Sequence, residues 1–168
     1  MNARQIVVMG VSGCGKSTVG ELLAQQLGAE FIEGDSLHPA SNVAKMAAGA
    51  PLTDADREGW LQTIAARLGA AHGDERGLVA SCSALKRAYR DTLRASAPEL
   101  RFVYLQGDFD LLGARVAGRS GHYMPASLLA SQFAALEEPG PDEHPITLDC
   151  RLEAQTLAAQ AYAALAAR

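Results

Sequence analysis

The feature that most constrains this chain is a glycine-rich segment near its beginning. Residues Gly10 to Ser17 have the sequence Gly-Val-Ser-Gly-Cys-Gly-Lys-Ser. A short apolar run, Gln5 to Met9, comes directly before the segment, and apolar residues recur at helical spacing from Val19 to Leu27 after it. A strand, a G-x-x-x-x-G-K-S loop and a helix in this order are the context in which the P-loop motif holds phosphate groups.

The chemistry of a P-loop assigns a part to each of its residues. Backbone N–H groups and the positive end of the following helix bind the phosphates of a nucleotide. Lys16 is predicted to reach the transferred phosphate, and Ser17 to offer its hydroxyl group to Mg²⁺. The predicted cofactors are therefore ATP and Mg²⁺. The predicted ATP-binding residues of this segment are Gly10, Ser12, Gly13, Cys14, Gly15, Lys16, Ser17 and Thr18.

Length and composition exclude several classes of protein. The chain has 168 residues, of which 48% are hydrophobic, and a net charge of −4. Because Lys and Arg are scattered, no basic patch for nucleic acid is expected. No apolar stretch approaches the roughly 20 residues that span a membrane. Three cysteines at unrelated spacings argue against a disulfide framework, so we expect a cytoplasmic protein. The length suits a single domain over residues 1–168.

Short apolar runs alternate with helical patterns along the chain, which predicts an α/β fold with a buried parallel sheet. The predicted strands are Gln5 to Met9, Glu30 to Glu33, Leu78 to Cys82, Arg101 to Leu105 and Ile146 to Asp149. The predicted helices follow the P-loop and begin near Thr53, Lys86, Phe109, Pro125 and Arg151. Trp60 is interpreted as a core residue, and residues 119–125 and 137–145 as exposed, mobile loops.

A P-loop establishes nucleotide binding but leaves the reaction open. The guanine-specifying Asn-Lys-x-Asp segment of a switch GTPase is absent, and the third strand ends without a carboxylate. A carboxylate instead follows the second strand, at Asp35, where ligands bind in open α/β sheets. This pattern favours a small-molecule kinase, in which Asp35 orients or deprotonates the accepting hydroxyl group.

Basic residues stand where such a kinase needs them. Lys86 and Arg90 follow the third strand, at the same edge of the predicted sheet. Arg115 and Arg119 flank a glycine-containing segment, which suits a mobile lid over approximately residues 115–135 whose arginines reach the nucleotide phosphates. The predicted catalytic residues are Lys16, Asp35 and Arg119.

Segments outside the P-loop resemble the gluconate kinases, relatives of shikimate kinase and adenylate kinase. The resemblance covers nearly the whole chain. The most specific segments are Gly34-Asp35-Ser36-Leu37-His38-Pro39 and Cys82-Ser83-Ala84-Leu85-Lys86. Further matches are Gly49 to Arg57 with Trp60, Leu105 to Phe109, Arg119 to Met124, and Gln132 with Phe133.

This resemblance implies a P-loop NTPase fold, a three-layer α/β/α arrangement with a five-stranded parallel sheet of order 2-3-1-4-5 and a mobile lid. It also implies transfer of the γ-phosphoryl group of ATP to the 6-hydroxyl of D-gluconate, and a homodimer. Guanidinium groups suit the carboxylate of gluconate. The substrate-binding residues expected on this basis are Asp35, His38, Arg57, Lys86, Arg90, His122 and Gln132, with Ser17 and Asp35 at the metal.

Two alternatives stay open on the sequence alone. A kinase for another hydroxy acid, such as shikimate, would also use arginines and an acid after the second strand. A nucleotide-binding regulator would hydrolyse ATP slowly without a small acceptor. His38 and His122 lie in predicted loops, where they could equally bind substrate or serve the structure.

Overall fold

The computed structural model describes residues 4–117 and 126–167. One five-stranded sheet of order β2-β3-β1-β4-β5 lies at its centre. All four neighbouring pairs of strands are parallel, which confirms the predicted fold. The strands are β1 (Gln5–Met9), β2 (Glu30–Glu33), β3 (Leu78–Ser81), β4 (Arg101–Gln106) and β5 (Ile146–Asp149).

Seven α-helices are assigned within the described residues: α1 (Lys16–Leu27), α2 (Ala40–Ala47), α3 (Asp54–Gly73), α4 (Arg87–Ser96), α5 (Phe109–Ala117), α6 (Ala126–Ala135) and α7 (Ala154–Ala166). Two short 3₁₀ helices, Gly34–Leu37 and Pro141–Glu143, complete the fold. Helix α2 and both 3₁₀ helices were not predicted from the sequence.

The sheet is covered on both faces because its side chains alternate between two cores. Ile6 and Val8 of β1 pack into the core shared with α1 and α7. Val7 and Met9 point the other way, into the core that contains α3 and α4. All four side chains are fully buried. The expected three-layer α/β/α arrangement is thus confirmed.

The carboxyl ends of β1, β2 and β3 meet at one edge of the sheet. The P-loop follows β1, the 3₁₀ helix at Gly34–Leu37 follows β2, and Ser83 lies in the segment after β3. Gly10 donates its backbone N–H to the carbonyl oxygen of Ser83 at 3.3 Å. This edge therefore brings together three of the segments from which the sequence predicted site residues.

Helix α3, which begins beside this edge, is fixed by a reciprocal cap. The Thr53 side chain accepts from the Asp56 backbone N–H at 3.1 Å, and the Asp56 carboxylate accepts from the Thr53 backbone N–H at 2.8 Å. Such a capping box satisfies donors that a helix start otherwise leaves unpaired. The cap fixes the first turn of α3, which carries Arg57.

Residues 137–145 include exposed positions, as predicted, but hydrogen bonds and an ion pair join this segment to the rest of the protein. Glu137 donates its backbone N–H to Leu85 at 2.8 Å, and the carboxylate-bearing side chain of Glu143 is only 2% exposed. Proline and charge in the sequence suggested solvent exposure, whereas the charge at Glu143 is paired inside the protein. Within residues 4–117 and 126–167, no helix combines the length and the apolar character needed to cross a membrane.

Candidate active site

The P-loop connects β1 to α1 in a conformation that depends on glycine. Gly15 has φ 94°, in the left-handed region where an L side chain is strained, and it caps the start of α1. Its carbonyl oxygen accepts the first helical hydrogen bond, from Val19 at 3.0 Å. Lys16 donates its ammonium to the carbonyl oxygen of Val11 at 3.2 Å, so its charge lies over the loop. Such a loop at a helix N-terminus can hold phosphate groups.

Ser17 contacts an acidic residue that sequence reasoning missed. Its hydroxyl group donates to the Glu33 carboxylate, which also accepts from the Ser81 hydroxyl at 2.5 Å. Glu33 is the last residue of β2. Its position two residues before Asp35 is the one signal in the sequence that could have revealed it.

A cleft extends from the P-loop across the carboxyl edge of the sheet. Its wall combines cationic, acidic, amide, hydroxyl and apolar groups. The lining residues are Ser12, Lys16, Asp35, His38, Met46, Leu52, Arg57, Trp60, Ser83 and Gln132. A few polar groups converging on a partly apolar cleft are typical of small-molecule sites. The structure therefore brings six predicted site residues together: Ser12, Lys16, Asp35, His38, Arg57 and Gln132.

The position of Asp35 depends on a close approach between two backbones. A Cβ atom at Gly34 would lie 1.9 Å from the carbonyl oxygen of Ser81, so only glycine fits between β2 and the end of β3. The Gly34 carbonyl oxygen accepts a hydrogen bond from Trp60 Nε1 at 2.7 Å. Asp35, the next residue, is exposed at the cleft. A carboxylate there can accept the hydrogen bond of a hydroxyl group.

Trp60 and His38 form one wall of the cleft. Their rings stack with centroids 4.1 Å apart and planes 15° from parallel. Trp60 is 1% exposed and belongs to the core between the sheet and α3, which confirms its predicted burial. Burial lowers the pKa of His38 most, Asp35 opposes this shift, and Arg57 adds to it.

Arg57 is held at the mouth of the cleft by a hydrogen-bonded group on α3 and α4. Its guanidinium donates to the hydroxyl group of Tyr89 at 3.1 Å. That hydroxyl group donates to the Asp54 carboxylate, which also accepts from the Lys86 ammonium at 3.0 Å. The bonds from Tyr89 and then Lys86 lower the pKa of Asp54. Arg57 and Lys86 are thus neighbours around Tyr89, but Arg57 lines the cleft whereas Lys86 pairs with Asp54 and does not.

Arg90 does not reach the cleft, and the expectation that it binds substrate is corrected. Its side chain is fully buried and forms an ion pair with Glu143, Nε to Oε1 at 2.7 Å. The remaining donors are used by the Glu143 carboxylate and by the carbonyl oxygens of Ala84, Leu85 and Glu137. Because every donor of the guanidinium is occupied, Arg90 fixes the start of α4 to the segment before β5. Spacing alone could not show which face of α4 carries it.

Arg115 and Gln132 both contact the P-loop. Arg115 donates to the Gly13 carbonyl oxygen at 3.4 Å and to the Cys150 carbonyl oxygen at 2.8 Å. Gln132 Oε1 accepts a hydrogen bond from the Ser12 backbone N–H at 2.7 Å. Helices α5 and α6 are thereby joined to the phosphate-binding segment.

Four predicted site residues have not yet been located. Cys14 is buried in the P-loop at 1% exposure, and Thr18 is exposed in the first turn of α1. Arg119 and His122 lie outside the described residues.

Three oxygen ligands near the P-loop suit a small divalent cation: the Ser17 hydroxyl group and the carboxylates of Glu33 and Asp35. Mg²⁺ is usually held by one or two carboxylates together with substrate phosphates and water. Across residues 4–117 and 126–167, no three His, Cys, Asp or Glu side chains are placed to hold a metal by themselves. The donors present therefore fit Mg²⁺ that is bound together with a nucleotide.

Comparison with known proteins adds a family to this geometry. A family model described as an AAA domain matches residues 6–139. The chain is 50% identical over 143 residues to the gluconokinase of Gluconobacter oxydans, covering 85% of this chain and 80% of that protein. It is 48% identical over 137 residues to the thermoresistant gluconokinase of Escherichia coli, covering 82% of this chain and 78% of that protein.

The fold agrees with a solved structure at similar identity. A gluconokinase from Sinorhizobium meliloti 1021 superposes with a TM-score of 0.88 at 48% identity, covering 98% of this chain and 92% of the other. Agreement over almost the full length includes the elements that carry the cleft, and not the P-loop alone.

Proposed function

This chain belongs to the gluconokinase family, and from that premise we propose that it transfers the γ-phosphoryl group of ATP to the 6-hydroxyl group of D-gluconate. The products are 6-phospho-D-gluconate and ADP. A bond forms between the hydroxyl oxygen and the γ-phosphorus as the bond from that phosphorus to the β–γ bridging oxygen breaks. The hydroxyl proton is released during the transfer.

One observation supports this proposal most strongly. Lys16 of the P-loop, the Asp35 carboxylate and the Arg57 guanidinium face a single cleft. A kinase for a hydroxy acid needs a cation at the phosphate, an acceptor for the hydroxyl hydrogen bond and a cation for the substrate carboxylate. The three side chains meet these needs from three different elements.

Each side chain takes the part that its position allows. Lys16 stabilises the charge on the transferring phosphoryl group, and the P-loop N–H groups hold the remaining phosphates. Arg57 binds the gluconate carboxylate, with Lys86 beside it. Asp35 accepts the hydrogen bond of the reacting hydroxyl group and directs that oxygen towards phosphorus.

Mg²⁺ would be held by Ser17 with Glu33 or Asp35, and when bound it neutralises charge on the phosphate oxygens. The proposal retains His38 and Gln132 as substrate-binding residues. It also retains Arg115 and Arg119 at the nucleotide, and His122 at the substrate.

Further proposals concern the organisation of the protein. Residues 1–168 form one kinase domain, with a lid over approximately residues 115–135. The protein acts in the cytoplasm as a homodimer. Sedimentation of the purified chain would test the dimer directly.

The reaction itself is tested by the structure of its product. The protein is incubated with Mg²⁺-ATP and D-gluconate, and the product is analysed by phosphorus–proton correlation NMR. The proposal predicts a phosphorus nucleus coupled to the two protons on C6. Coupling to a single methine proton, or formation of inorganic phosphate alone, would contradict it.

A further inference from the structure

The orientation of the Asn42 side-chain amide is fixed by its neighbours. Asn42 is 4% exposed on α2, and its amide nitrogen Nδ2 donates to the carbonyl oxygen of Asp56 at 2.8 Å. A carbonyl oxygen can only accept a hydrogen bond, so the NH₂ group and not the amide oxygen must face Asp56. The usual ambiguity between the two ends of an amide is therefore resolved by the hydrogen-bond network.

This orientation determines the tautomer of His38. The same Asn42 nitrogen lies 3.2 Å from His38 Nδ1. An NH₂ group carries two hydrogens and accepts none, so one hydrogen serves Asp56 and the second is directed at Nδ1. Nδ1 must then present its lone pair. The neutral imidazole carries its proton on Nε2 as a consequence.

The ring that carries this proton is fixed against the cleft wall. Stacking on Trp60 sets the plane of the His38 ring, and Trp60 is itself anchored through Nε1 to Gly34. His38 lines the cleft beside Asp35 and Arg57. Among the described residues, no side chain or carbonyl oxygen accepts a hydrogen bond from Nε2. Nε2–H is therefore left for a ligand.

The charges around His38 also favour the neutral ring. Burial lowers its pKa first, Asp35 on its own 3₁₀ helix raises it, and Arg57 on α3 lowers it. Lys16 of the P-loop adds another cation to the cleft. On the Asn42 side, Lys45 and Asp56 form an ion pair of 2.5 Å, which leaves no isolated charge there.

We propose that Asn42 holds His38 as the neutral Nε2–H tautomer, and that His38 donates a hydrogen bond to an oxygen atom of the acceptor substrate instead of acting as a base. The inference rests on the proposed function for the identity of that substrate. It makes Asn42 a positioning residue. It also leaves Asp35, and not His38, to accept the hydrogen bond of the reacting hydroxyl group.

A second histidine, His72, provides an internal control, because the same argument places its proton on the other ring nitrogen, Nδ1. His72 Nδ1 lies 3.3 Å from Oε1 of Gln5. Gln5 uses its amide nitrogen to donate to the Arg76 carbonyl oxygen at 2.7 Å, so Oε1 faces His72 as an acceptor. Nδ1 of His72 must then carry a proton. The two histidines should differ in one spectrum of one sample.

The tautomers are measured by ¹⁵N–¹H correlation NMR of the histidine side chains in the full chain at pH 8. Spectra of His38→Gln and His72→Gln assign the signals. We expect a lone-pair nitrogen at Nδ1 of His38 and a protonated Nδ1 at His72. In Asn42→Ala, the His38 pattern should move towards a mixture of tautomers while that of His72 is unchanged. A protonated Nδ1 at His38 in the wild-type protein would overturn the inference.

Substitutions of His38 test the donor role. Gln can place an N–H group near the position of Nε2, whereas Asn is too short and Leu has no donor. We expect His38→Leu and His38→Asn to raise the KM for gluconate about threefold to tenfold, as the loss of one hydrogen bond does. His38→Gln should recover most of this loss, and the KM for ATP should be unchanged in all three. Equal losses in the Gln and Asn variants would overturn the donor role.

Failure of this inference differs from failure of the proposed function. The tautomers are read from the free protein, so they do not depend on the substrate. If the wild-type chain phosphorylates gluconate but His38 carries its proton on Nδ1, only the inference fails. If the wild-type chain does not phosphorylate gluconate, the proposed function and the donor role fail together, whatever the tautomer.

Discussion

The Ser17 hydroxyl group donates a hydrogen bond to the Glu33 carboxylate and thereby joins the last residue of the P-loop to the end of β2. Glu33 also accepts from Ser81 at the end of β3. One carboxylate thus connects the ends of β2 and β3 to the P-loop at the point where Mg²⁺ would meet the nucleotide. Groups that orient a metal ligand in this way usually affect metal affinity and activity.

Replacing Glu33 with Gln should weaken the use of Mg²⁺. Gln retains the size of Glu and one acceptor oxygen but removes the negative charge beside Ser17. We expect the Mg²⁺ concentration for half-maximal activity to rise about tenfold or more, as it does when a group that holds a metal or orients its ligand is lost. Titration of Mg²⁺ at saturating ATP and gluconate measures this. An unchanged Mg²⁺ requirement in a folded variant would show that Glu33 has only a structural part.

Replacing Asp35 with Asn should lower turnover while nucleotide binding remains. Asn keeps the shape of the side chain but is a weaker acceptor for the hydroxyl group and cannot take its proton. We expect kcat to fall by about 10² to 10⁴, as for other losses of acid–base groups. Steady-state kinetics measures kcat, and calorimetry measures ATP affinity.

The matched control for this variant is Asp142→Asn. Asp142 is exposed, pairs with Arg87 and is not among the residues that line the cleft. Its kcat should equal that of the wild-type protein. If Asp35→Asn behaved like this control, Asp35 would have no part in the reaction.

Replacing Tyr89 with Phe should weaken the binding of gluconate and leave the binding of ATP unchanged. The Tyr89 hydroxyl group accepts from Arg57 and donates to Asp54, so its removal frees the guanidinium from one fixed partner. We expect the KM for gluconate to rise by about tenfold, because that factor is close to the lower end of the energy range for one hydrogen bond to a charged group. A matching rise in the KM for ATP would indicate a general disturbance of the cleft instead.

Replacing Glu143 with Gln should destabilise the fold. The variant leaves the buried Arg90 guanidinium without its anionic partner, and breaking a buried pair in this way costs about 3 kcal/mol or more. For a chain of this size we expect the Tm to fall by roughly 10 °C. Asp142→Asn again provides the control, since its pair with Arg87 is exposed and should leave the Tm unchanged.

The ion pair between Arg90 and Glu143 should make the free energy of unfolding sensitive to acid. Burial acts to raise the pKa of Glu143, but hydrogen bonds from Arg90 and Arg94 outweigh it and lower the pKa from 4.5 to about 2. A lowered pKa stabilises the fold above pH 4.5, and this contribution is lost as the pH falls from 4.5 towards 2. Denaturant unfolding across this range should show a steeper loss for the wild-type protein than for Glu143→Gln. Parallel curves would contradict this assignment.

The sequence alone predicted those elements whose patterns lie within a few consecutive residues. Strands β1, β3 and β4 are nearly continuous apolar runs, and the predicted bounds of all five strands agree with the structure to within one residue. The P-loop has its own pattern of glycines, and Asp35 follows directly from its place after β2. By contrast, helix α2 has only eight residues and exposes Val43, so it is shorter than the window over which a helical period is recognised.

The positions of the other site residues depend on contacts between segments that are far apart in the sequence. Lys86 and Arg90 follow the same strand four residues apart, yet Lys86 pairs with Asp54 at the start of α3 while Arg90 is buried against Glu143. Their directions depend on how α4 packs on the sheet. Glu143 is 53 residues from Arg90, so no local pattern could have indicated this pair. For Glu33 the sequence offered only its position two residues before Asp35, and the hydrogen bonds from Ser17 and Ser81 are seen in the structure alone.

The most direct test of the central claim is ADP production with Mg²⁺-ATP against a panel of acceptors: gluconate, shikimate, related sugar acids, AMP and water alone. The proposed function predicts strong stimulation by gluconate, with the other acceptors close to water. Stimulation by shikimate in place of gluconate would mean that the chain is a kinase for a different hydroxy acid. A rate that no acceptor raises above water would contradict the kinase assignment and favour a nucleotide-binding regulator.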